Sequence, residues 1–356
     1  MAAGFAVGSF TSPHFLHYNE RIRLFGEEVS DERLCEAFAQ VAKAQTETKT
    51  PLTFFEINIL NALWVFKQNA LDIILLEVGL GGRLDAANII DADLALISSI
   101  AIDHEAWLGS DRESIAKEKA GIFRRQGFAV CGDDQPPQTL IQYANQLNAD
   151  LYLQGSSFGF EVHGDSWGWW SAETELHELP MPKLALDNAS SVLQAVNLLQ
   201  NRLPVKRDAI EHGLKHAELT GRFQIIRNGA LTTILDVAHN PAAAKRLATQ
   251  LMTEPCSGNT WGLFGIMADK DIAGVVQNLF RSIDHWVVAG LSCERAAKPA
   301  EVQDVLYQQG CRTADQCFAD VGDGYDAILA QAQPEDRIVV FGSFFTVADW
   351  LNYAVL

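Results

Sequence analysis

Short apolar runs alternate with longer segments of helical spacing along most of the chain. FAVGSF from Phe5 and ERIRLFG from Glu20 predict strands. After Ser30, apolar residues at Leu34, Phe38 and Val41 recur at helical intervals. Thr53 and Glu56 have the spacing of a capping box, directly before the apolar run INILNALWVF, which predicts a long helix. LDIILLEV and LALISSIAI are continuous apolar runs of strand length, the pattern of parallel strands buried on both faces. Ser110 and Glu113 are placed to cap a helix carrying Lys117 and Lys119. Between residues 158 and 182, aromatic alternations around a Gly-Asp-Ser turn predict a hairpin, and helices follow from Asn188 and from Lys206. Beyond a turn at residues 219–222, TTILDV, WGLFGI, HWVVAG and IVVFGS alternate with helical runs. That order predicts an open parallel sheet covered by helices. The chain therefore reads as α/β, with one domain over residues 1–216 and another over 217–356.

Composition narrows the function classes. The 356 residues are 48% hydrophobic and 20% charged, which is globular and long enough for two cores. A net charge of −18 disfavours nucleic acid and anionic membrane surfaces as partners. Any phosphate must be held locally, by metal, helix N-termini or a few placed cations. The six cysteines form no C-x-x-C pair and have no histidines at zinc spacing, which suits a reducing cytosol. No Lys or Arg precedes the first apolar run, so a signal peptide is not expected, and no run reaches the roughly 18 apolar residues of a membrane span. The expected location is the cytoplasm.

Five polar motifs follow predicted strands. In EVGLGGRLDAAN, from Glu77, a carboxylate leads into a glycine-rich loop. A dinucleotide fingerprint fails there because Leu84 holds the third glycine position. A tight turn accounts for the glycines, but not for Glu77, Arg83 and Asp85. AIDHEAWLG places Asp103 and His104 after a strand, where a carboxylate and an imidazole from neighbouring strand ends suit a divalent metal. A structural hydrogen-bonding histidine is the alternative. EKAGIF carries Lys119 beside Glu118, TSPHF carries Ser12, and DVAHNP carries Asp236 and His239. For DVAHNP, an Asn240 N-cap with Pro241 at the first helical position is a sufficient structural account, although nucleotides are also held at such strand ends. Each motif alone is compatible with a structural role; all five in one order are not easily so.

With YNERIRL, TFFE, LTGRFQI, GIMADKDI and FGSFFTVADW, that ordered set resembles the bifunctional dihydrofolate synthase/folylpolyglutamate synthase family of the Mur ligase superfamily. The resemblance covers essentially the whole chain. It implies a Mur-ligase-like nucleotide-binding central domain over 1–216 and a Rossmann-like glutamate-ligase domain over 217–356. It implies ATP-dependent ligation of L-glutamate to dihydropteroate and to tetrahydrofolates through an acyl phosphate. Ser12, Glu77, His104 and Lys119 would hold magnesium, two ions in all, with Lys119 carbamylated. Thr53, Phe54, Phe55, Glu56, Leu84, Asp85 and Ala86 would line the pterin site. Asn188, Arg222, Asp236 and His239 would contact ATP, the co-substrate. The partners implied are these small molecules, with no nucleic acid, no membrane and a monomeric chain.

Two departures qualify the match. No G-x-x-x-x-G-K-[ST] occurs, and the opening MAAG resembles the end of the helix that follows such a loop in the family. The phosphate loop, its strand and an N-terminal pterin-binding segment are therefore expected to be missing, leaving this chain inactive or nearly so and marginally soluble. Phe345 stands where relatives often carry His. Other readings are a non-catalytic remnant, a nicotinamide oxidoreductase using GLGGR, and a metal hydrolase built on Glu77 and His104.

Overall fold

Strand Val7–Phe10 is an inner strand of the first sheet, whose order is Glu27–Glu28, Ile22–Leu24, Val7–Phe10, Ile73–Leu76. Its pairing with Ile73–Leu76 is parallel and the other pairings are antiparallel. The computed structural model describes residues 1–102, 104–228, 231–311 and 316–355, so Asp103 lies outside the described residues. These separate into two compact units, Met1–Ala217 and Glu218–Leu356.

The first unit holds two further sheets. One is wholly parallel, in the order Leu94–Ile97, Phe128–Cys131, Asp150–Leu153. The other is antiparallel, with Ser166–Ser171 between Phe158–His163 and Glu175–Pro180. The predicted hairpin thus gains a third strand. Helix Asp31–Thr48 opens at Ser30, whose hydroxyl accepts from Arg33 N–H. Helix Phe54–Lys67 opens with the predicted capping box: Thr53 Oγ1 accepts from Glu56 N–H (3.3 Å) and Glu56 Oε2 from Thr53 N–H (2.6 Å). Ile59, Ala62, Val65 and Phe66 of this helix pack with Phe10, Ile22, Leu34 and Ala37 into one core. Fully burying each such large aliphatic or aromatic side chain contributes about 1.5–3 kcal/mol.

Three local expectations are corrected. Ile73–Leu76 is parallel but not buried on both faces; it ends its sheet, leaving Ile74 47% and Leu75 56% exposed. Helix Arg112–Ala120 is capped by Asp111, which accepts from Ser114 N–H at 2.9 Å, rather than by Ser110. Glu113 instead accepts from Gln138 N–H (3.1 Å) and Thr139 N–H (2.8 Å), capping the next helix, Gln138–Leu147. In ERIRLFG the strand begins only at Ile22, because Tyr18–Arg21 is a 3-10 turn. The Glu20 carboxylate holds the preceding loop by accepting from Phe15, Leu16 and His17 N–H, each at 2.7 Å.

The second unit is a six-stranded sheet in the order Gln224–Asn228, Leu231–Asp236, Arg337–Phe341, Thr260–Phe264, His285–Ala289, Gln316–Phe318. Only the first pairing is antiparallel. Ile234, Phe264, Trp286, Val288 and Phe341 meet Leu247, Leu251, Val275, Leu279 and Leu306 of the covering helices in its core. The two outer strands were not predicted. Among the described residues no helix is long and apolar enough to cross a membrane.

Candidate functional site

Because Val7–Phe10 and Ile73–Leu76 run parallel with Phe10 opposite Leu76, the segments after both strands leave the sheet at the same end. This brings Ser12 to Glu77. Glu77 N–H donates to Phe10 O (3.0 Å), and the Glu77 carboxylate accepts from Ser12 N–H (2.7 Å). The glycine-rich loop that follows is organised by Asp85, which accepts from Gly79, Leu80 and Ala87 N–H at 2.9–3.0 Å. Asp85 therefore has a structural role in shaping the loop.

The loop then docks on the end of helix Arg112–Ala120. Arg83 N–H donates to Glu118 O (2.8 Å), and its guanidinium grips the Glu118 carboxylate with bonds of 3.0 and 3.2 Å. Two glycines make this approach possible. A Cβ on Gly82 would lie 2.9 Å from Glu118 O, and one on Gly121 only 2.3 Å from Arg83 Cβ. Arg124 closes the far side, donating to Asn88 O (2.8 Å) and Asn88 Oδ1 (2.9 Å). The strand end carrying Glu77 is thus locked to the helix whose last turn carries Lys119.

His104 follows strand Leu94–Ile97, which lies in the wholly parallel sheet and not beside Ile73–Leu76, and has a left-handed conformation (φ 53°), which costs energy for a side chain other than glycine. Its carbonyl accepts from Trp107 and Leu108 N–H and starts helix Glu105–Leu108. A Cβ on Gly81 would lie 2.9 Å from Leu108, so the same loop touches this helix too. Among the described residues no three His, Cys, Asp or Glu side chains stand grouped for a metal. The Glu77 carboxylate and the adjacent Ser12 hydroxyl are nevertheless hard oxygen donors, the type that fits a hard divalent cation.

The predicted pterin-lining residues divide by role. Phe55 packs edge-on to Phe10 (5.8 Å between centroids) and against Gly79, where a Cβ would meet its ring at 2.6 Å. Thr53 and Glu56 cap the helix, and Thr53 N–H holds the Glu56 carboxyl below its ordinary pKa. Phe54 and Leu84 are 63% and 80% exposed, while Ala86 packs on the core beneath. The residue the sequence reading missed is Arg21, buried within YNERIRL, whose Nε donates to His14 Nδ1 at 2.7 Å. Burial, then the adjacent Arg21 charge, pulls the His14 pKa down.

In the second unit, Asp236 ends strand Leu231–Asp236 and is 8% exposed. It accepts from Phe223 and Ala238 N–H, both at 2.8 Å. Burial pushes its carboxyl above the ordinary value, against these bonds and the fields of Arg222 and Arg246. Arg222 lies over the Phe344 ring at 5.1 Å, and its turn is fixed by Val237 N–H donating to Gly221 O. His239 Nδ1 bonds Val237 O (2.8 Å), and Asn240 and Pro241 start the next helix as the sequence implied. Arg222, Asp236 and His239 thus gather at a helix N-terminus, where unpaired N–H groups favour anions. Asn188 is exposed in the first turn of helix Leu186–Leu199 in the first unit.

Comparison with known proteins extends this picture. The family described as Mur ligase, glutamate ligase domain, matches residues 221–344. The Escherichia coli protein named dihydrofolate synthase/folylpolyglutamate synthase is 41% identical over 348 residues, covering 98% of this chain and 80% of that protein. Its Haemophilus influenzae counterpart is 37% identical, covering 98% and 82%. The structure of E. coli FolC with DHPP and ADP superposes with a TM-score of 0.92 at 40% identity, covering 99% of this chain and 83% of that one. A bifunctional folylpolyglutamate synthase/dihydrofolate synthase with Mn, AMPPNP and L-glutamate bound gives 0.91 at 40% identity, covering 100% and 84%.

Proposed function

Because the chain belongs to the dihydrofolate synthase/folylpolyglutamate synthase family, we propose that it joins L-glutamate to dihydropteroate and to tetrahydrofolates at the expense of ATP. It is by family an ATP-dependent carboxylate–amine ligase. Solved relatives carry ADP or AMPPNP and, in one case, Mn with L-glutamate, so nucleotide and divalent metal are the ligands to expect. The observation that carries the reading is the Ser12–Glu77 pairing at two parallel strand ends, with its loop locked onto the helix of Lys119.

In this reading the first unit binds the folate acceptor and metal. Ser12, Glu77, His104 and a carbamylated Lys119 would hold magnesium, in two ions. The metal supplies positive charge where two anions, a carboxylate and a phosphate, must approach. Phe54, Phe55 and Leu84 offer apolar surface to the pterin ring, with Thr53, Glu56, Asp85 and Ala86 shaping that surface. Arg222 places a guanidinium against the nucleotide, with Asn188, Asp236 and His239 as further contacts. The acceptor carboxylate becomes an acyl phosphate, which the glutamate amine then attacks with loss of phosphate. The cytoplasm and a monomeric state complete the proposal.

The test is ADP formation with ATP, Mg²⁺, dihydropteroate and L-glutamate. It is run on residues 1–356 and on a form extended upstream in the same reading frame. ADP formation that requires both substrates, in either form, supports the reading. ADP formation in neither form, or without need of glutamate, overturns it.

A further inference from the structure

Among the described residues of the first unit, Arg21 is the buried cation. Arg23, Arg83, Arg112, Arg124, Arg202 and Arg207 each bond a carboxylate. Arg21 is more deeply buried than any of them, at 6% exposure, and among the described residues it has no carboxylate bond. Its Nε donates to His14 Nδ1, and its Cζ lies over the rings of Tyr18 (5.9 Å to the centroid) and Phe54 (5.5 Å). The adjacent Glu20 holds three backbone N–H groups of the loop before it, and it acts on Arg21 through its field, as Glu77 does more weakly.

Burying a charge without a bonded counter-ion is costly, and the ring faces offset only part of that cost. A purely packing role uses the ring contacts and Nε. It leaves unexplained the two Nη groups, whose planar fork matches a carboxylate. His14, accepting at Nδ1, carries its proton on Nε2 and adds a further donor. The group sits at the strand end of the proposed site, with Thr11 N–H donating to Arg21 O at 2.9 Å.

We propose that the Arg21 fork is the receptor for a substrate α-carboxylate, beside His14, Tyr18 and Phe54. The proposal rests on the ligase reading. In that reaction the acceptor's reacting carboxylate must stay free for phosphorylation, so the fork takes one that does not react. Dihydropteroate has no second carboxylate. The α-carboxylate of a glutamate does qualify, on the incoming amino acid or already attached to a folate. Arg21 is then a binding residue that separates glutamate-bearing ligands from those without glutamate.

Calorimetric titration of the 356-residue chain tests this without needing turnover. The ligands are 5-formyltetrahydrofolate and its α-carboxamide, L-glutamate and its α-amide, and dihydropteroate. The wild type is expected to prefer the acid to the amide about tenfold in at least one pair, and that pair identifies the source of the carboxylate. Arg21→Lys, which keeps the charge but removes the fork, and Arg21→Met should both lose the preference. Dihydropteroate affinity should stay within about twofold. A wild type that binds acid and amide alike overturns the proposal with no variant needed, as does a preference that survives in Arg21→Met. If dihydropteroate still binds in those cases, the folate site stands and only the role of Arg21 falls. If no pterin ligand binds the wild type, the proposal falls, and the ADP assay alone decides the ligase reading.

Discussion

Gly121→Ala is a severe test of the locked loop. The added Cβ would sit 2.3 Å from Arg83 Cβ and 2.6 Å from Arg83 Cα, against an ordinary carbon contact of about 3.5–4.0 Å. Arg83 must therefore retreat by roughly 1.2 Å or more. Backbone is involved on both sides, so a side-chain rotation does not relieve the clash. The retreat breaks the Arg83 N–H bond to Glu118 O, now 2.8 Å, and strains the Asn88 Nδ2 bond to Gly121 O, now 3.1 Å. Overpacking costs about 1–3 kcal/mol and a lost backbone bond about 0.5–1.5 kcal/mol, giving about 1.5–4.5 kcal/mol together. For a unit of this size that lowers Tm by about 3–18 °C. Urea and thermal unfolding followed by circular dichroism measure it. Gly213→Ala is the control: this exposed glycine lies inside helix Arg207–His216 with nothing within 4 Å of an added Cβ. There the change should stabilise, by up to about 1 kcal/mol. If Gly121→Ala leaves Tm unchanged or raises it, as Gly213→Ala should, the close approach of Gly121 to Arg83 is refuted.

Asp133 is 6% exposed and bonds Arg112 (2.7 Å), Ile100 N–H (2.7 Å) and Gln135 N–H (3.0 Å), so Asp133→Ala should destabilise the first unit by about 3–5 kcal/mol, read from its urea midpoint. Glu113→Ala should lower Tm by uncapping helix Gln138–Leu147, and Glu113→Asp, one methylene short, should restore little of it. Asp236 has a raised folded pKa, so the folded state binds its proton more tightly than the unfolded chain does. Its contribution to stability is therefore greatest below the unfolded value of about 3.9 and declines as pH rises toward the folded value. Asp236→Asn should accordingly gain on the wild type as pH rises above 4, and a difference constant with pH would contradict the burial argument.

What could be seen in the sequence was what is local. The Thr53–Glu56 box and the Asn240–Pro241 helix start depend on residues within one turn, and both formed as expected. The glycine loop after Glu77 was visible as a site, but the work of Asp85 was not, because which N–H groups it gathers depends on the fold of the loop. Glu113 caps a helix 25 residues away, a partnership no spacing rule contains. Burial of Ile73–Leu76 was misjudged because an apolar run does not say whether its strand has one neighbour or two. Strand Gln224–Asn228 did leave a signal, the Asn228-Gly229 dipeptide typical of hairpins, which the parallel-sheet pattern overshadowed. Arg21 looked like one charge in a mixed run; only the packing of Tyr18 and Phe54 around it makes it unusual.

The exposed strand Ile73–Leu76 also bears on how the protein behaves at high concentration. Among the described residues no strand pairs with its outer edge, which lies beside two exposed aliphatic side chains and is a template for a strand from another molecule. Association through it is second order in protein, so losses on purification should track the final concentration step more than temperature or time. A lysine at position 74 would act as a gatekeeper on the solvent side of that edge, leaving the Val7–Phe10 pairing intact while making edge-to-edge stacking electrostatically unfavourable.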